Sequence, residues 1–341
     1  MRSKIIASLL FTLLLAFGAH AEPIKLKVGV TNSLADVGLF VADKRGYFAD
    51  QNIKVEFIAF DAAARMIAPF ASGDLDVGGG GVSAGLFNAV KRGVGLRIVA
   101  DKSTSAPGLS ASSLVVRKKL VTSGAYKGPT DLRGRKVAAP APGTATSTSL
   151  DLWFRKNGFT LKDVDLAYMS FPQMAQALLN DAVDAAFLTE PSLSKVLTEN
   201  AAEIVAPDHM MFPNHQIAVT LFSERFIKRD RTVAVGFMKA MLRGSRDYMS
   251  AVRDGRLAGP GAEEMIAILT EYSAIKDPQV YRAIGVHFCD PNGALDTASL
   301  TTDLDWFRKE GLIEGDVQIA DAMDASIAAD AARALGPWKR P

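Results

Sequence analysis

A cluster of hydroxyl side chains follows a glycine between a predicted strand and a predicted helix. Gly143 lets the backbone approach a ligand closely, and Thr144, Thr146 and Ser147 supply hydroxyl groups at the helix start. The free amides of a first helical turn and the helix dipole favour an anion. We predict ligand contact at these four residues and at Ala145. Plain helix capping by Ser or Thr is the alternative.

A glycine-rich segment stands at the corresponding place earlier in the chain. Gly81, Val82 and Ser83 come at the end of a run of four glycines, residues 78–81, and before another predicted helix. Exposed amides at such a junction favour an anion, so we predict ligand contact here as well. The run is not a P-loop, because the GxxxxGK[ST] pattern is absent. Close packing of helix against strand is the alternative.

The first predicted strand, residues 25–30, is followed by a polar segment. We predict that Asn32, Ser33 and Asp36 of this segment lie at the same site. One of the first two residues can instead cap the next helix, and Asp36 can simply favour its dipole.

Three side chains at other positions are further candidates for ligand contact. Glu190 follows a predicted strand and can receive a ligand amine or hydroxyl, or it is an ordinary surface acid. His215 lies beside a segment that crosses between lobes, although a lone histidine is more often structural. Phe60, like Phe171 and Phe212, can flank an aromatic ligand body or belong to the core.

The residues for enzymatic chemistry are few. Beyond residue 21 the chain has three histidines and one cysteine, Cys289, and it lacks HExxH and CxxC patterns. We interpret Cys289 as a buried small apolar side chain. The sequence therefore predicts no catalytic residue, no metal site and no cofactor, and a protein that is not an enzyme.

The N-terminus has the pattern of a secretory signal peptide. Arg2 and Lys4 precede an apolar run, residues 5–18, and small residues flank His20. We predict cleavage after Ala21 and a periplasmic location; a membrane anchor is the alternative, but the run is shorter than the roughly 20 residues that a spanning helix needs. Cleavage leaves 37 basic residues against 37 acidic ones. This balance favours neither nucleic acid nor direct membrane insertion.

Strands alternate with helices in the same order twice, at an offset of 107 to 111 residues. This predicts two α/β lobes with largely parallel sheets and one ligand cleft between them. We expect the first lobe to comprise residues 22–113 and 217–341, and the second lobe residues 114–216. Strand-like runs at residues 114–117 and 216–222 are expected to be the two crossings, and hinge closure the expected motion. The C-terminal part is predicted to be helical over residues 224–252, 262–272, 278–285, 302–310 and 321–335.

Short motifs in a fixed order carry a family resemblance. They are GYF at residues 46–48, ASGDLDVG at 71–78, DLRGRKVA at 131–138, VDAA at 183–186 and EP at 190–191. In this order they resemble the solute-binding proteins of bacterial ABC importers for nitrate, sulfonate, taurine and thiamine-pyrimidine precursors, over roughly residues 24–225.

The resemblance implies a type II periplasmic binding fold and a monomer that delivers a small solute to an ABC permease and its ATPase. It places an anionic head group, such as a sulfonate, taurine or nitrate, at Asn32 and Ser33, at residues 81–83 and at residues 143–146. A pyrimidine or aromatic carboxylate remains an alternative solute. The ligand-binding component of a sensor and an exported enzyme remain alternative functions.

Overall fold

The computed structural model describes residues 22–60, 62–273 and 275–340. The predicted signal peptide, residues 1–21, lies outside this range. The strands, in chain order, are β1 Ile24–Val30, β2 Ile53–Ala59, β3 Val77–Gly81, β4 Leu96–Ser105, β5 Ser112–Arg117, β6 Lys136–Ala139, β7 Asp165–Tyr168, β8 Ala185–Thr189, β9 Ala202–Pro207, β10 His215–Ser223, β11 Val252–Arg253 and β12 Arg256–Leu257.

The α-helices alternate with these strands and then dominate the C-terminal third. They are α1 Val37–Lys44, α2 Ile67–Ser72, α3 Ala84–Lys91, α4 Lys118–Thr122, α5 Ala145–Lys156, α6 Phe171–Leu179, α7 Ser192–Thr198, α8 Asp208–Met211, α9 Glu224–Arg229, α10 Arg231–Ala251, α11 Ala262–Tyr272, α12 Pro278–Ala283, α13 Thr297–Lys309, α14 Ile319–Ala322 and α15 Ser326–Leu335. Among the residues described, no helix is both long and apolar enough to cross a membrane.

Two five-stranded sheets have the same topology. The first has the order β2-β1-β3-β10-β4, and the second has the order β7-β6-β8-β5-β9. In each sheet three parallel strands are followed by one antiparallel strand, β10 in the first sheet and β5 in the second, and then by an edge strand antiparallel to it. The repeated βα order thus produces two α/β lobes, as predicted. The first lobe contains the first sheet, and the second lobe contains the second sheet.

The chain crosses twice between the two lobes. It leaves the first sheet after β4, enters the second sheet at β5, and returns to the first sheet at β10. The connecting residues are 106–111 and 208–214. The predicted lobe boundaries fall inside β5 and β10, and they stay predictions.

Alternating side chains bury apolar surface on both faces of each sheet. In β6, Val137 belongs to one apolar cluster and its neighbour Ala138 to the cluster on the other face. In β10, Leu221 and Phe222 alternate in the same way. This pattern is why sheets covered by helices on both faces form here.

The C-terminal helices differ from the sequence prediction where polar residues cap helices. The helix expected over residues 224–252 is divided at Asp230, which has extended backbone and accepts a hydrogen bond from the Val233 amide at 3.1 Å. Helix α13 begins at residue 297 rather than 302, because Asp296 caps it through the Ser299 amide. Its side chains Leu300, Leu304 and Phe307 pack into the apolar cluster of the first lobe.

Two further boundaries were predicted wrongly. The strand expected over residues 164–171 ends at Tyr168, and Phe171 begins α6, because Ser170 and Gln173 form a capping box. The sequence predicts a short third strand that precedes the four glycines, but β3 includes all four of them and ends at Gly81.

Candidate functional site

The loops at the carboxyl ends of the parallel strands meet between the two lobes. Residues 82–84 of the first lobe and residues 143–145 of the second form a short antiparallel bridge. The Ala84 amide donates to the Gly143 oxygen at 2.9 Å, and the Ala145 amide donates to the Val82 oxygen at 3.0 Å. We call these six residues the rim bridge. It brings together two segments that the sequence predicted at one cleft.

The rim bridge uses amides that we expected to be free for an anion. Ala84 and Ala145 are the first residues of α3 and α5, and each donates across the cleft instead. Ser83 accepts the Leu86 amide at 3.3 Å and so caps α3. The amides of Ala84 and Ala145 are therefore already paired in this arrangement.

Two of the three hydroxyl side chains near the rim bridge form hydrogen bonds within their own loop rather than across the cleft. Thr144 and Ser147 both donate to the Ala141 oxygen at 3.2 Å, which fixes the loop that precedes α5. Thr146 is partly exposed beside them. Gly143 has a φ of +64°, a conformation that glycine adopts without strain.

The glycine run has a packing reason. A Cβ on Gly79 would lie 3.0 Å from the Lys102 side chain, and a Cβ on Gly80 would collide with Ala63. The small residues thus let other groups cross the face of β3, which is the alternative that the sequence left open.

Asp36 is fully buried and anchors the segment after β1. Its carboxylate accepts the amides of Thr31 and Ser33 at 3.0 and 3.1 Å. Its other oxygen pairs with the Lys102 ammonium at 2.6 Å. Asp36 is therefore committed to positioning the loop that carries Asn32 and Ser33.

Lys102 was not among the predicted site residues. It is buried in β4 and also donates to the Gly79 oxygen at 3.1 Å. The sequence predicts a strand over residues 96–100 only, and a lysine two residues beyond it, with glycines elsewhere to make room, was the available signal. Its partner could not be identified, because Asp36 is 66 residues away in the chain.

Glu190 lies between the lobes and has protein partners. It accepts the amide and hydroxyl of Ser194 at 3.0 and 2.9 Å, and the amide of Gly285 from the first lobe at 3.4 Å. Burial raises the pKa of Glu190 above its ordinary value, although these donors oppose the shift.

Phe60 packs toward the core of the first lobe. Its ring lies 3.2 Å from the point where a Cβ would stand on Gly29, and it adjoins the apolar cluster that includes Met66. This arrangement agrees with the alternative role of Phe60 as a core residue.

His215 lies at the second crossing, within a buried polar cluster. Its Nδ1 is 2.9 Å from the Ser149 hydroxyl of α5, and its Nε2 is 3.0 Å from the Asp303 carboxylate of α13. Asp208, in α8, is also buried beside it, and Phe212 stacks on the imidazole with ring centroids 4.2 Å apart. We call Ser149, Asp208, His215 and Asp303 the hinge cluster.

Charge in the hinge cluster is set by burial and by carboxylates. Burial lowers the pKa of His215, but Asp303, Asp208 and Asp296 outweigh burial and leave that pKa above its ordinary value. Burial raises the pKa of Asp208, while His215 and the hydroxyls of Ser149 and Ser105 oppose that shift. The cluster therefore favours a protonated imidazole.

A serine, a histidine and an aspartate in contact suggest nucleophilic catalysis, but access is lacking. Ser149, His215 and Asp303 are at most 1% exposed. A nucleophile must reach its substrate, so this trio does not form a catalytic site in this arrangement. Within the described ranges, no group of three or more His, Cys, Asp or Glu residues is placed to hold a metal ion.

The α13–α5 contact extends beyond His215. The Trp306 indole donates to Asp151 at 2.8 Å, and Lys162 pairs with Glu310 at 3.1 Å. Sequence reasoning missed this contact, because its partners are about 150 residues apart. It makes α13 the first-lobe surface on which the second lobe rests.

Two surface cavities lie elsewhere. One of about 180 Å³ is lined by residues that include Gly73, Gly95 and Arg225, and one of about 410 Å³ by residues that include Arg97 and Glu224. None of the predicted site residues lines either cavity.

Comparisons with known proteins identify the same architecture. The model of the NMT1-like family matches residues 19–252. No curated protein sequence matches the chain.

Solved structures resemble the whole chain. The alkanesulfonate-binding protein SsuA from Xanthomonas axonopodis pv. citri, bound to MOPS, is 19% identical with a TM-score of 0.66, covering 89% of this chain and 99% of its own. The periplasmic aliphatic sulphonate binding protein SsuA from Escherichia coli is 17% identical with a TM-score of 0.67, covering 90% and 99%. The periplasmic nitrate-binding protein NrtA from Synechocystis PCC 6803 is 14% identical with a TM-score of 0.72, covering 92% and 89%. At these identities the likeness shows the fold, and it confirms the predicted periplasmic binding fold.

Proposed function

The chain belongs to the NMT1-like family, and from this premise we propose that it is the periplasmic solute-binding protein of an ABC importer. One observation carries the proposal. Two α/β lobes, joined by two crossings, place their strand-end loops against each other at the rim bridge. Such an arrangement suits capture of a small molecule by hinge closure, with release to a permease and its ATPase.

We infer that the solute is a small organic anion or an oxyanion. The proposed donors to the solute are the side chains of Asn32, Ser33 and Thr146, which are at least partly exposed. The amides of Ala84 and Ala145 already have partners within the protein. Fold relatives that bind sulfonate and nitrate support this class. Lys102 adds no net charge, because it is paired with Asp36.

A ligand screen tests the proposal. The exported chain is tested by thermal shift against alkyl sulfonates, taurine, nitrate, bicarbonate, pyrimidines and aromatic carboxylates. A solute that binds only the folded state stabilises it by about 2.7 kcal/mol at 100 times its Kd. We expect a sulfonate or nitrate-like hit that is recovered unchanged. Consumption of the compound would instead indicate an enzyme, and a pyrimidine hit would overturn the anion class.

A paired variant locates the site. Thr144→Ala with Thr146→Ala should weaken binding of the hit by about 0.5–1.5 kcal/mol for each neutral hydrogen bond lost, and by more for a charged acceptor. Thr122→Ala on α4 is the matched control, because its hydroxyl bonds only within its own helix region. Equal affinity of the double variant and the control would remove these two residues from the site.

A further inference from the structure

The hinge cluster connects both lobes to the strand that follows the return crossing, residues 208–214. His215 is the first residue of β10, Ser149 lies on α5 of the second lobe, and Asp303 lies on α13 of the first lobe. One imidazole therefore holds a hydrogen bond toward each lobe, at 2.9 and 3.0 Å. A rotation that separates α5 from α13 must break one of these two bonds.

The charged groups that act on His215 are carboxylates. Asp303 and Asp296 come from α13 and its cap, and Asp208 comes from α8, where His209 is its neighbour. Helix α5 contributes the hydroxyl of Ser149, β4 contributes that of Ser105, and Phe212 covers the ring. All four members of the hinge cluster are at most 1% exposed, so water does not screen these charges.

The protonation state of the His215 imidazole decides which way the Ser149 hydroxyl points. Imidazolium donates from both nitrogens, to Ser149 and to Asp303, and leaves the Ser149 hydroxyl proton free to face Asp208. Neutral imidazole that keeps its bond to Asp303 must instead accept from Ser149, so that hydroxyl turns away from Asp208. Asp208 Oδ1 already has no hydrogen-bond partner, and losing the Ser149 donor leaves this buried carboxylate with Ser105 as its remaining hydroxyl neighbour.

We propose that the proton on His215 holds α5 against α13, so that the closed arrangement of the lobes, and with it retention of the solute, weakens when His215 is deprotonated. The part about the solute rests on the proposed function. The part about the lobes does not, and it can be tested without any solute.

Lobe separation is measured by double electron–electron resonance on the unliganded chain. Nitroxide labels are placed through Lys54→Cys on β2 and Glu199→Cys after α7, which are exposed positions in different lobes. Cys289 is buried and is not expected to react. Distances are recorded between about pH 6 and about pH 9, where histidines titrate.

We expect a longer distance to gain population as the pH rises. The closed-to-open ratio should fall about tenfold for each unit by which closure raises the pKa of His215. The midpoint should coincide with the ¹⁵N titration of the His215 ring. His215→Gln keeps a donor and an acceptor but carries no titrating charge, so its distances should not change over this range.

Two outcomes would overturn the proposal. One is a wild-type distance distribution that is independent of pH, and the other is an equal pH response in His215→Gln. If that variant does not fold, Ser149→Ala retains the imidazole and should be more open than wild type already at the low-pH end; an unchanged distance there also contradicts the proposal. A negative solute screen would not affect the result on lobe separation, and a pH-independent lobe separation would not affect the proposal of solute binding.

Discussion

The rim bridge and the hinge cluster both join the two lobes, but they use different chemistry. At the rim, two backbone amides donate to two backbone oxygens, and the side chains take no part. At the hinge, a buried imidazole, a hydroxyl and two carboxylates make the contact. Backbone contacts such as those of the rim bridge tolerate most substitutions and do not vary with pH. Side-chain contacts such as those of the hinge cluster depend on side-chain identity and on protonation state.

The two connections also differ in what their loss costs. A neutral hydrogen bond contributes about 0.5–1.5 kcal/mol, because water replaces it when it breaks. A buried charge that loses its partner has no such replacement, and breaking a buried pair costs about 3–5 kcal/mol. The hinge should therefore dominate stability, while the rim should adjust closure in small steps.

The largest effect should come from Asp303→Ala. It removes the carboxylate that accepts from His215 and leaves a buried imidazolium, so we expect a loss of about 3–5 kcal/mol in the free energy of unfolding. Urea denaturation in mildly acidic buffer measures this loss. Asp305→Ala on the same helix is the control, because that exposed acid pairs only with Arg308 and should cost about 0.2–0.5 kcal/mol. Equally small losses would contradict the charged hinge.

Trp306→Phe should have an intermediate effect. The indole N–H donates to Asp151 across the α13–α5 contact, and hydrogen bonds to charged groups contribute about 1.5–3 kcal/mol. Since Trp306 is only partly buried, we expect the lower end of that range in urea denaturation. Trp338→Phe, at a tryptophan that packs on the first-lobe core, controls for ring size. Similar losses from both variants would attribute the effect to packing.

Ala145→Pro should break one bond of the rim bridge with little harm to α5. Proline suits the first helical position, and Thr144 already has the extended backbone that precedes proline, with φ −116° and ψ 163°. We expect a loss of about 0.5–1.5 kcal/mol, or roughly tenfold at most in the closed-to-open ratio, at every pH. Spin-label distances report it. Ala145→Gly keeps the amide and should stay closed; equal opening in both variants would show that the lost hydrogen bond is not the cause.

The smallest effect should be the pH dependence of stability. The pKa of His215 is raised in the folded state, so its contribution is complete below its unfolded value of 6.5 and is lost as pH rises through the folded value. Burial lowers the pKa of His287 to about 4, so its contribution is lost as pH falls from 6.5 toward that value. Wild-type stability compared with His215→Gln and with His287→Gln should therefore show slopes of opposite sign. Equal signs would refute the assignment.

Much of the fold could be predicted because local patterns specify it. The sequence predicts a strand over residues 136–139 and a helix over residues 262–272, and the structure shows both with these bounds. Both are bounded by turn residues and have clear periodicity. The unpredicted strand β9 and helix α7 are short, and their periodicity is weak.

The candidate site could be predicted only in part. Residues 81–83 and 143–145 were placed at one cleft because both follow parallel strands, and the structure brings them into contact. Their detailed use differs, since their amides pair with each other across the cleft. His215 was a candidate with a structural alternative, and its place in the hinge cluster agrees with that alternative.

The amino-acid sequence by itself determined the two βα repeats, the order of strands and the family, because periodicity, caps and short motifs are local properties. Tertiary structure alone decided which distant residues became partners. Lys102 forms an ion pair with Asp36 where glycines of β3 leave room, and Asp303 pairs with His215, which is 88 residues away in the chain. Side chains this far apart are brought together only when two sheets and a C-terminal helix pack, because their contact depends on burial rather than on any local sequence signal.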